Sequence, residues 1–465
     1  MSLRPYQSDA LKEIRAHYAR GTKKVLLHMS TGSGKTVIFC EVLKGAHEKG
    51  KKALMVVRGR KLVAQASQRL DREGVPHGVL MAGHWRSAPQ ENIQICSVDT
   101  LFSRKLAPPA DILVLDEAHQ AASNSYLWLA DQYPSAFFLP VTATPYAKEG
   151  MQHIASVVVK PISMQRLIDQ GYLVPPLYYA PADPDLTGVR TSNGDYNVED
   201  LEKAMMLIGD PVSTWRRLAE DRPTIAFAVT VQHSKWIAQA FTADGVIAEH
   251  VDASSTDQER EQAIKRLENG TTKVLCNVGI LCTGVDIPAA SCILMARPTK
   301  SYMLYIQQAG RGTRTAPGKK DFIILDHAAN VLRHGLITDE REACLEPFKI
   351  KFKQPVMTRC LNCFAVYSGR RAICPSCDVA IPGSATPKRA TAFKDGQLEK
   401  FDPEAFLFLT EFARFKAIAK ERGYKRGWVW HQLKEKFGEE KTNSHMPKRH
   451  VPDFVLAKLN DLIRS

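Results

Sequence analysis

The sequence of 465 residues has no run of 18 or more apolar residues, so it contains no candidate membrane span. Its N-terminus, MSLRPYQSDALKEIR, is charged and lacks the apolar core of a signal peptide. No internal repeat of short fixed period stands out, and no PD…ExK nuclease signature is present. We therefore expect a cytoplasmic protein without a membrane segment and without a nuclease centre of its own.

Cysteine is unevenly placed. Of ten cysteines, six are scattered and four form two CxxC pairs in CLNCFAVYSGRRAICPSC, at 360–377. In a reducing compartment such pairs favour metal binding over disulfides. Two knuckles of this kind predict a tetrahedral Zn²⁺ site with the ligands Cys360, Cys363, Cys374 and Cys377. A redox-active pair or plain buried thiols are the alternatives.

The segments FAVY and RRAI predict the two strands of a hairpin between the knuckles, which makes a zinc ribbon. Arg370 and Arg371 fall at its tip. Ribbons of this size are mostly structural staples, but two arginines at a tip can also bind nucleic-acid phosphates. The sequence leaves both roles open.

Negative charge is scarce in the last quarter of the chain. From residue 351 onward, 22 Lys and Arg stand against 12 Asp and Glu, whereas the first 350 residues hold 41 against 37. A local basic excess favours an anionic partner such as nucleic acid, although a solvated surface without a partner is the alternative.

In GYKRGWVWHQLKEKFG, we predict that Trp428, Leu433 and Phe437 form the core stripe of a small helical module. Aromatic and basic side chains also interleave here, at Tyr424, Lys425, Arg426, Trp428 and Trp430. We favour nucleic-acid contacts for the basic residues and a core role for the tryptophans, with base stacking as the alternative.

The first 150 residues alternate short apolar runs with helical patterns. Apolar runs at 25–30, 53–58, 92–98, 111–117 and 136–142 predict buried parallel strands. Further runs at 224–230, 246–252, 273–278, 291–296 and 321–326 predict a second sheet. A helix is predicted between the second and third of these runs. Thr256 and Glu259 predict a capping box at its start, and Gly270 predicts its end.

This alternation predicts an α/β fold with two tandem parallel-sheet domains. The predicted divisions are a first domain at 1–160, a linker or insertion at 161–215, a second domain at 216–345, the zinc ribbon at 351–382 and a small basic helical module at 400–465. A flexible basic linker is expected at 383–400.

The segment MSTGSGKT, residues 29–36, follows a predicted strand and precedes a predicted helix. It is close to the phosphate-loop pattern, with Ser30 at the position of the first glycine. Backbone N–H groups in such a loop wrap phosphates at a helix N-terminus. The candidate nucleotide contacts are Thr31, Gly32, Ser33, Gly34, Lys35 and Thr36. Lys35 would meet the β and γ phosphates, and the Thr36 hydroxyl would bind Mg²⁺.

The segment ILVLDEAH, residues 112–119, ends an apolar strand with two carboxylates. Asp116 is the candidate Mg²⁺ partner, and Glu117 is the candidate general base that polarises the attacking water. An acidic pair at a strand end can instead cap the next helix. With a phosphate loop about 80 residues upstream, catalysis is the favoured interpretation.

Taken in order, GSGKT, DEAH and TATP resemble the core of helicase superfamily 2, over roughly residues 1–335. The resemblance implies two RecA-like domains with ATP between them. It places Arg4 and Gln7 of RPYQ on adenine, and it gives SVDTL (97–101) a strand contact. It assigns His119, Thr142 and Thr144 to the coupling of hydrolysis with movement.

The same resemblance extends to the second domain. VGILCTGVDIP (278–288) implies that Thr283 and Gly284 face the nucleic-acid backbone and that Asp286 faces the nucleotide. QQAGRGTR (307–314) implies catalytic roles for Gln307, Arg311 and Arg314, with the two arginines as cations for the transferred phosphoryl group. Which arginine dominates stays open, as does whether Arg58 or Arg60 of VVRGRKLVAQ binds a backbone phosphate.

The two α/β domains, CxxC set and short helical tail resemble bacterial RadD-type DNA repair helicases and their phage relatives. We therefore expect an ATP-dependent motor on DNA, in repair, recombination or replication, with ATP, Mg²⁺ and Zn²⁺ as cofactors. It is expected to be a monomer that meets a single-strand-binding protein or other repair proteins. The alternatives are the motor portion of a restriction or defence system, an RNA helicase, or a zinc-containing binding module whose ATP site is a switch.

Overall fold

The computed structural model describes residues 3–120, 123–146, 150–192, 194–205, 210–219, 221–282, 284–346, 356–381, 415, 419, 422 and 426–437. They divide into two compact units, Met1–Thr386 and Pro387–Ser465. The first unit contains two parallel sheets and a small cysteine-bearing hairpin. This unit contains the glycine-rich segment, the acidic pair, the two arginines and the four cysteines that the sequence singles out.

The first sheet has seven parallel strands. They are β1 (Val25–His28), β2 (Ala53–Val57), β3 (Gly78–Leu80), β4 (Ile93–Ser97), β5 (Ile112–Leu115), β6 (Phe137–Thr142) and β7 (Val157–Val159). Their order across the sheet is β3-β4-β2-β5-β6-β1-β7. Five of them correspond to the predicted apolar runs, and the short β3 and β7 are additional.

Helices cover both faces of this sheet. They are α1 (Pro5–Ala19), α2 (Lys35–Glu48), α3 (Arg60–Arg72), α4 (Val98–Arg104) and α5 (Asn124–Gln132). Successive strand residues serve opposite faces: Leu27 packs in the core with α1, α2 and α3, whereas Leu26 packs in the core with α4 and α5. Burial on both faces explains why these strands are apolar throughout.

The second sheet has six parallel strands. They are β8 (Pro176–Tyr179), β11 (Thr224–Phe227), β12 (Ala248–Val251), β13 (Val274–Asn277), β14 (Cys292–Met295) and β15 (Phe322–Asp326). The order is β12-β13-β11-β14-β15-β8, and a separate small hairpin pairs β9 (Thr191–Ser192) with β10 (Asp195–Tyr196). The strand β8 comes from the Pro-rich stretch before the second series of apolar runs and pairs with β15 in parallel.

The helices of this part are α6 (Met164–Asp169), α7 (Val198–Met205), α8 (Pro211–Leu218), α9 (Val231–Ala243), α10 (Asp257–Glu268), α11 (Tyr302–Ala309) and α12 (Asn330–His334). The predicted capping box is confirmed at the start of α10: the Thr256 Oγ1 accepts from the Glu259 N–H at 3.2 Å, and Glu259 Oε2 accepts from the Thr256 N–H at 2.6 Å. Gly270, with φ 80°, follows the helix in the left-handed conformation.

The cysteine-bearing hairpin pairs β16 (Met357–Arg359) with β17 (Val366–Ser368) in antiparallel fashion. The predicted pairing of FAVY with RRAI is therefore wrong. FAVY pairs instead with the segment before the first knuckle, and Ile373 of RRAI makes a bridge with Ala380. The hairpin continues onto the edge of the second sheet, since Ala365 bridges Tyr179 and the Ala180 N–H donates to Phe364 O at 2.9 Å.

In the second unit, helix α13 (Arg426–Phe437) buries Val429 and Leu433, and Trp428 packs edge-on against Phe415 with ring centroids 5.9 Å apart. These contacts agree with a core role for Trp428 and Leu433. Residues 383–400, Tyr424, Lys425 and the side chain of Phe437 lie outside the described residues. None of the helices in the described part of the chain combines the length and apolarity that a membrane crossing needs.

Candidate functional site

A glycine-rich turn joins β1 to α2. Gly32 and Gly34 both have positive φ, 80° and 82°, which an L side chain rarely adopts. A Cβ atom at Gly34 would lie 2.6 Å from Gln7 Nε2, so a larger residue there would be strained by its positive φ and would displace the Gln7 side chain. Ser33 is fully buried and its Oγ donates to Ser30 O at 2.6 Å, which fixes the turn. The turn therefore presents its backbone N–H groups at the N-terminus of α2, as a phosphate site requires.

Lys35 opens α2 and is partly buried, while Thr36 beside it is exposed. The Lys35 ammonium donates to the carbonyls of Met29 (3.3 Å) and Ser30 (3.4 Å). Burial lowers the pKa of Lys35, and the charges of Glu117 and Asp116 oppose that shift. The ammonium thus belongs to the same electrostatic cluster as the acidic pair.

The acidic pair follows β5. Burial and the neighbouring charge of Glu117 raise the pKa of Asp116 to about 6. Burial also disfavours the Glu117 carboxylate, but the hydrogen bond from His119 and the charges of His119, Lys35 and Arg311 outweigh it and lower the Glu117 pKa to about 2. Glu117 also has a φ of 50°, an uncommon conformation for a non-glycine residue. Strained backbone conformations such as that of Glu117 occur often at functional sites.

His119 links this pair to the end of β6. Its buried Nδ1 lies 3.2 Å from Glu117 Oε2 and 3.3 Å from Thr142 Oγ1. The Thr142 hydroxyl in turn donates to Thr144 O at 3.3 Å and accepts from the Thr144 N–H at 3.1 Å. A continuous chain of hydrogen bonds therefore runs from the acidic pair to the TATP segment.

The N-terminal segment packs directly on the glycine-rich turn. The Tyr6 hydroxyl donates to Ser33 O at 2.7 Å, and Gln7 Nε2 donates to Gly34 O at 3.4 Å. The Arg4 guanidinium lies 4.4 Å from the ring centroid of Tyr172, which also packs edge-on against Tyr6. Sequence reasoning identified Arg4 and Gln7 but missed Tyr172, because it lies more than 160 residues away and no motif marks it.

The two arginines of QQAGRGTR come from the second sheet's domain. Arg311 is buried, and its guanidinium donates to Cys282 O (3.0 Å from Nε) and to Val285 O. Arg314 forms an ion pair with Asp286 (Nε to Oδ1, 2.9 Å). Burial and the charge of Arg314 lower the pKa of Arg311 to about 10. Gln307 lies in the last turn of α11 and is partly buried.

Arg314 and its neighbours Gly310 and Thr313 lie against the glycine-rich turn. A Cβ atom at Gly32 would be 3.2 Å from Thr313 Oγ1 and 3.8 Å from Arg314 Cγ. A Cβ atom at Gly310 would be 2.8 Å from Thr31 Cβ. Residues of the two sheets' domains thus meet at the glycine-rich turn, where the charges of Arg311 and Arg314 act on Lys35 and that of Arg311 acts on Glu117. We call this region, with Lys35 and the acidic pair on one side and the arginines on the other, the cleft.

A second contact between the two domains lies at the start of α3. Gln65 Nε2 donates to Gly284 O at 2.5 Å, and a Cβ atom on Gly284 would lie 3.2 Å from Leu62 Cδ2. Arg58 is held inside the first domain by Ser123 Oγ (3.0 Å), Ser125 Oγ (2.6 Å) and Asp99, whereas Arg60 is exposed. Thr283 lies outside the described residues.

The four cysteines of the hairpin meet at one point. Their sulfur atoms all lie within 4.8 Å of one another, with Cys360 to Cys377 at 3.7 Å and Cys363 to Cys374 at 3.6 Å. A tetrahedral Zn²⁺ site with Zn–S bonds of about 2.3 Å has sulfur atoms about 3.8 Å apart, so the cluster has the dimensions of such a site. Arg370 and Arg371 nearby are exposed.

Comparison with known families matches two segments of the chain. Residues 1–147 match the family described as "Type III restriction enzyme, res subunit". Residues 204–316 match the family described as "Helicase conserved C-terminal domain". The first match contains the glycine-rich turn, the acidic pair and TATP, and the second contains both arginines.

Among curated proteins, a "51.5 kDa protein" of Lactococcus phage (isolate 7-9) is 27% identical over 362 residues, which are 76% of this chain and 77% of the phage protein. "Putative ATP-dependent helicase IRC3" of Saccharomyces cerevisiae is 27% identical over 351 residues. That match covers 70% of this chain but only 51% of the yeast protein.

Among solved structures, a fragment of a putative HsdR subunit of a type I restriction enzyme from Vibrio vulnificus YJ016 is similar with a TM-score of 0.57 and 18% identity. The similarity covers 74% of this chain and 67% of that fragment. At this identity the similarity supports only the fold of this chain, which contains two RecA-like domains.

Proposed function

We propose that this chain, which is a superfamily 2 helicase and therefore an ATP-dependent motor on nucleic acid, uses DNA as its track. The observation that carries the motor is the cleft itself: Gly32 of the phosphate loop lies beside Thr313 and Arg314 of the other domain. Hydrolysis that needs residues from two domains is coupled to their relative position, because the site is complete only when they are together.

The residues of the cleft fit ATP and Mg²⁺. The left-handed Gly32 and Gly34 give the turn the tight backbone curvature of a phosphate-binding loop. The Thr36 hydroxyl and Asp116 carboxylate are the hard oxygen donors that Mg²⁺ takes. Mg²⁺ would neutralise charge on the phosphate oxygens. Lys35 would hold the β and γ phosphates, and Gln7, Arg4 and Asp286 would bind the rest of the nucleotide.

In this proposal Glu117 acts as the general base. Its low pKa keeps it ionised at neutral pH, so it can orient a water molecule and accept a proton from it. Arg311 and Arg314 supply positive charge to the transferred phosphoryl group. The charges of both arginines act on Lys35, and that of Arg311 acts on Glu117 as well. To meet phosphate, Arg311 would have to release Cys282 O and Val285 O, and Arg314 would have to release Asp286.

DNA is favoured over RNA on two grounds. The first is the match of residues 1–147 to a restriction-enzyme subunit. The second is the resemblance of TGVDIP and GRGTR to DNA-acting translocases. Gly284, Arg60 and the basic residues from 351 onward are the proposed backbone contacts.

We assign Zn²⁺ to Cys360, Cys363, Cys374 and Cys377, where it would act as a structural staple. The support is the tetrahedral spacing and the attachment of the hairpin to β8 through Ala365 and Phe364. A ribbon fixed in this way covers the edge of the second sheet. Arg370 and Arg371 remain exposed on it and are proposed to bind DNA phosphates.

For the biological role we propose repair, recombination or replication of DNA in the cytoplasm of a bacterium, as a monomer acting with a single-strand-binding or repair protein. The order of two motor domains, ribbon and basic tail supports this role, as in RadD-type helicases. The motor part of a restriction or defence system is the second candidate, which the restriction-subunit match at 1–147 favours.

The substrate is tested by measuring ATP hydrolysis in parallel without polymer and with single-stranded DNA, duplex DNA and RNA, followed by strand displacement on the best activator. We expect DNA to stimulate turnover. Stimulation by RNA alone would overturn the DNA assignment. Stimulation by duplex DNA together with tracking but no strand displacement would favour the restriction-type motor over a repair helicase.

A further inference from the structure

An exposed indole stands out on the first sheet's domain. Trp85 is 80% exposed, the highest value of any large apolar side chain in the described residues, followed by Ile373 at 61%. It is flanked by His84, whose ring is roughly parallel to the indole with centroids 5.8 Å apart, and by Arg86, whose guanidinium lies 4.9 Å from the indole centroid. Neither the ATP cleft nor the zinc cluster uses this residue.

The loop that carries Trp85 is held rigidly. Arg86 makes a bidentate ion pair with Asp71 (2.5 and 3.1 Å), and its Nη1 lies 2.8 Å from His77 Nε2. At the base of the loop, Val79 N–H donates to Arg86 O at 2.9 Å. Gly78 is required there because a Cβ atom would lie 2.4 Å from Ala88 O. A tip held in this way keeps the indole exposed, whereas a mobile tip would let it fold back onto apolar surface.

The position of this loop indicates its partner. It follows β3, so it emerges at the same carboxyl edge as the phosphate loop, the acidic pair and the SVDTL segment, because all strands are parallel. Ala82 N–H donates to Thr100 Oγ1 of SVDTL at 3.4 Å. Five strand spacings separate β3 from β1, or about 24 Å. Trp85 is therefore far from the nucleotide and adjacent to the segment expected to contact a strand.

We infer that Trp85 is a stacking platform for a base of single-stranded nucleic acid entering or leaving along this edge. An indole offers a flat surface on which any base can stack, and Arg86 and His84 beside it suit the neighbouring phosphates. This inference rests on the proposed function, since it needs a nucleic-acid track. The nucleic-acid contacts proposed above reach only the sugar–phosphate backbone, and Trp85 would add a contact to a base.

The test is the affinity of the full chain for a fluorescently labelled oligothymidylate and for the same oligomer with abasic sites throughout. Trp85→Ala weakens binding of the oligothymidylate roughly 5- to 100-fold, the range expected for one base–aromatic stack. Trp85→Phe keeps most of the affinity. Ile247→Ala, which removes an apolar side chain that is 58% exposed on the other domain, serves as the matched control and leaves the affinity unchanged.

On the abasic strand, wild type and Trp85→Ala bind equally, because no base is there to stack. Equal affinity of the two proteins for the oligothymidylate would overturn the inference and would leave the indole as a surface for a protein partner. An equal loss on both strands would also overturn it, since the indole would then act on the backbone. Failure of the wild type to bind either strand would instead contradict the proposed function.

Discussion

Among individual residues, Lys35 interacts electrostatically with the other charged groups of the cleft, both the acidic pair and the two arginines. Its charge interacts with the carboxylates of both Asp116 and Glu117, and it opens the helix on which phosphates would rest. Such a position is useful only if an anion with several charges binds there. Two local motifs singled out these residues: Lys35 follows a strand and a glycine-rich turn, and Asp116 and Glu117 end another strand. The structure brings their charges into interaction.

Substitution of Lys35 by Ala should abolish turnover and spare most of the DNA affinity. We expect ATP hydrolysis to fall on the order of 100- to 1,000-fold, since a preorganised cation is removed from the transferred phosphoryl group. Steady-state hydrolysis and DNA binding without nucleotide measure the two effects. Turnover at a tenth of the wild-type rate would rule out this site.

The link from Glu117 through His119 to Thr142 predicts a coupling defect. His119→Ala and Thr142→Val should each reduce the distance travelled per ATP hydrolysed, because they break the same chain of hydrogen bonds. The double variant should be little worse than either single one, as expected for residues that act as a unit. Translocation and hydrolysis rates on the same DNA give the ratio. Effects that simply add would show that the two side chains act independently.

Residues that meet across long stretches of chain could not be predicted in this way. Tyr172 beside Arg4, Thr313 beside Gly32 and Gln65 beside Gly284 are contacts between segments that only the folded sheets bring together. No periodicity or motif in the sequence encodes such distances.

At the level of secondary structure, the long apolar runs predicted most strands because burial on both sides demands apolar residues at consecutive positions. The strands β3, β7 and β8 were not predicted. They have three or four residues each, and β8 begins with a proline, so they offer too few positions for a pattern. In the ribbon, the predicted pairing of FAVY with RRAI failed because Met357–Arg359, outside the knuckles, pairs with Val366–Ser368.

The ribbon provides the next prediction. Cys363→Ser should release one bound zinc per chain and lower the unfolding temperature, because a structural zinc site contributes directly to folding. Cys344→Ser is the control, since Cys344 is not a member of the four-sulfur cluster. Colorimetric zinc release and thermal unfolding measure the outcome. Equal zinc content in both variants would mean that Cys363 is not a ligand.

For the molecule as a whole, buried histidines predict acid sensitivity. Burial lowers the pKa of His28, His233, His327 and His334 to about 4 each. The unfolded chain binds these protons near pH 6.5, so stability is lost as the pH falls from about 6.5 towards 4. Burial raises the pKa values of Asp326 and Asp116 to about 6 each, and these two groups work in the opposite direction.

The four histidines outnumber the two carboxyl groups, so denaturant unfolding should show a net loss of stability between pH 6.5 and 4.5. In His233→Gln, which stays neutral, the loss over this range should be smaller than in the wild type. An unchanged pH profile in that variant would mean that His233 does not titrate as its burial implies.

ATP hydrolysis in the cleft between the two domains is proposed to drive movement along DNA. The most direct measurement is the maximal rate of ATP hydrolysis on single-stranded DNA of increasing length, with Glu117→Gln as the inactive control. A motor spends more of its time stepping on longer strands, so the rate should rise with length and then level off, while Glu117→Gln stays near background. A rate independent of length, or stimulated turnover in Glu117→Gln, would contradict a DNA motor driven from this cleft.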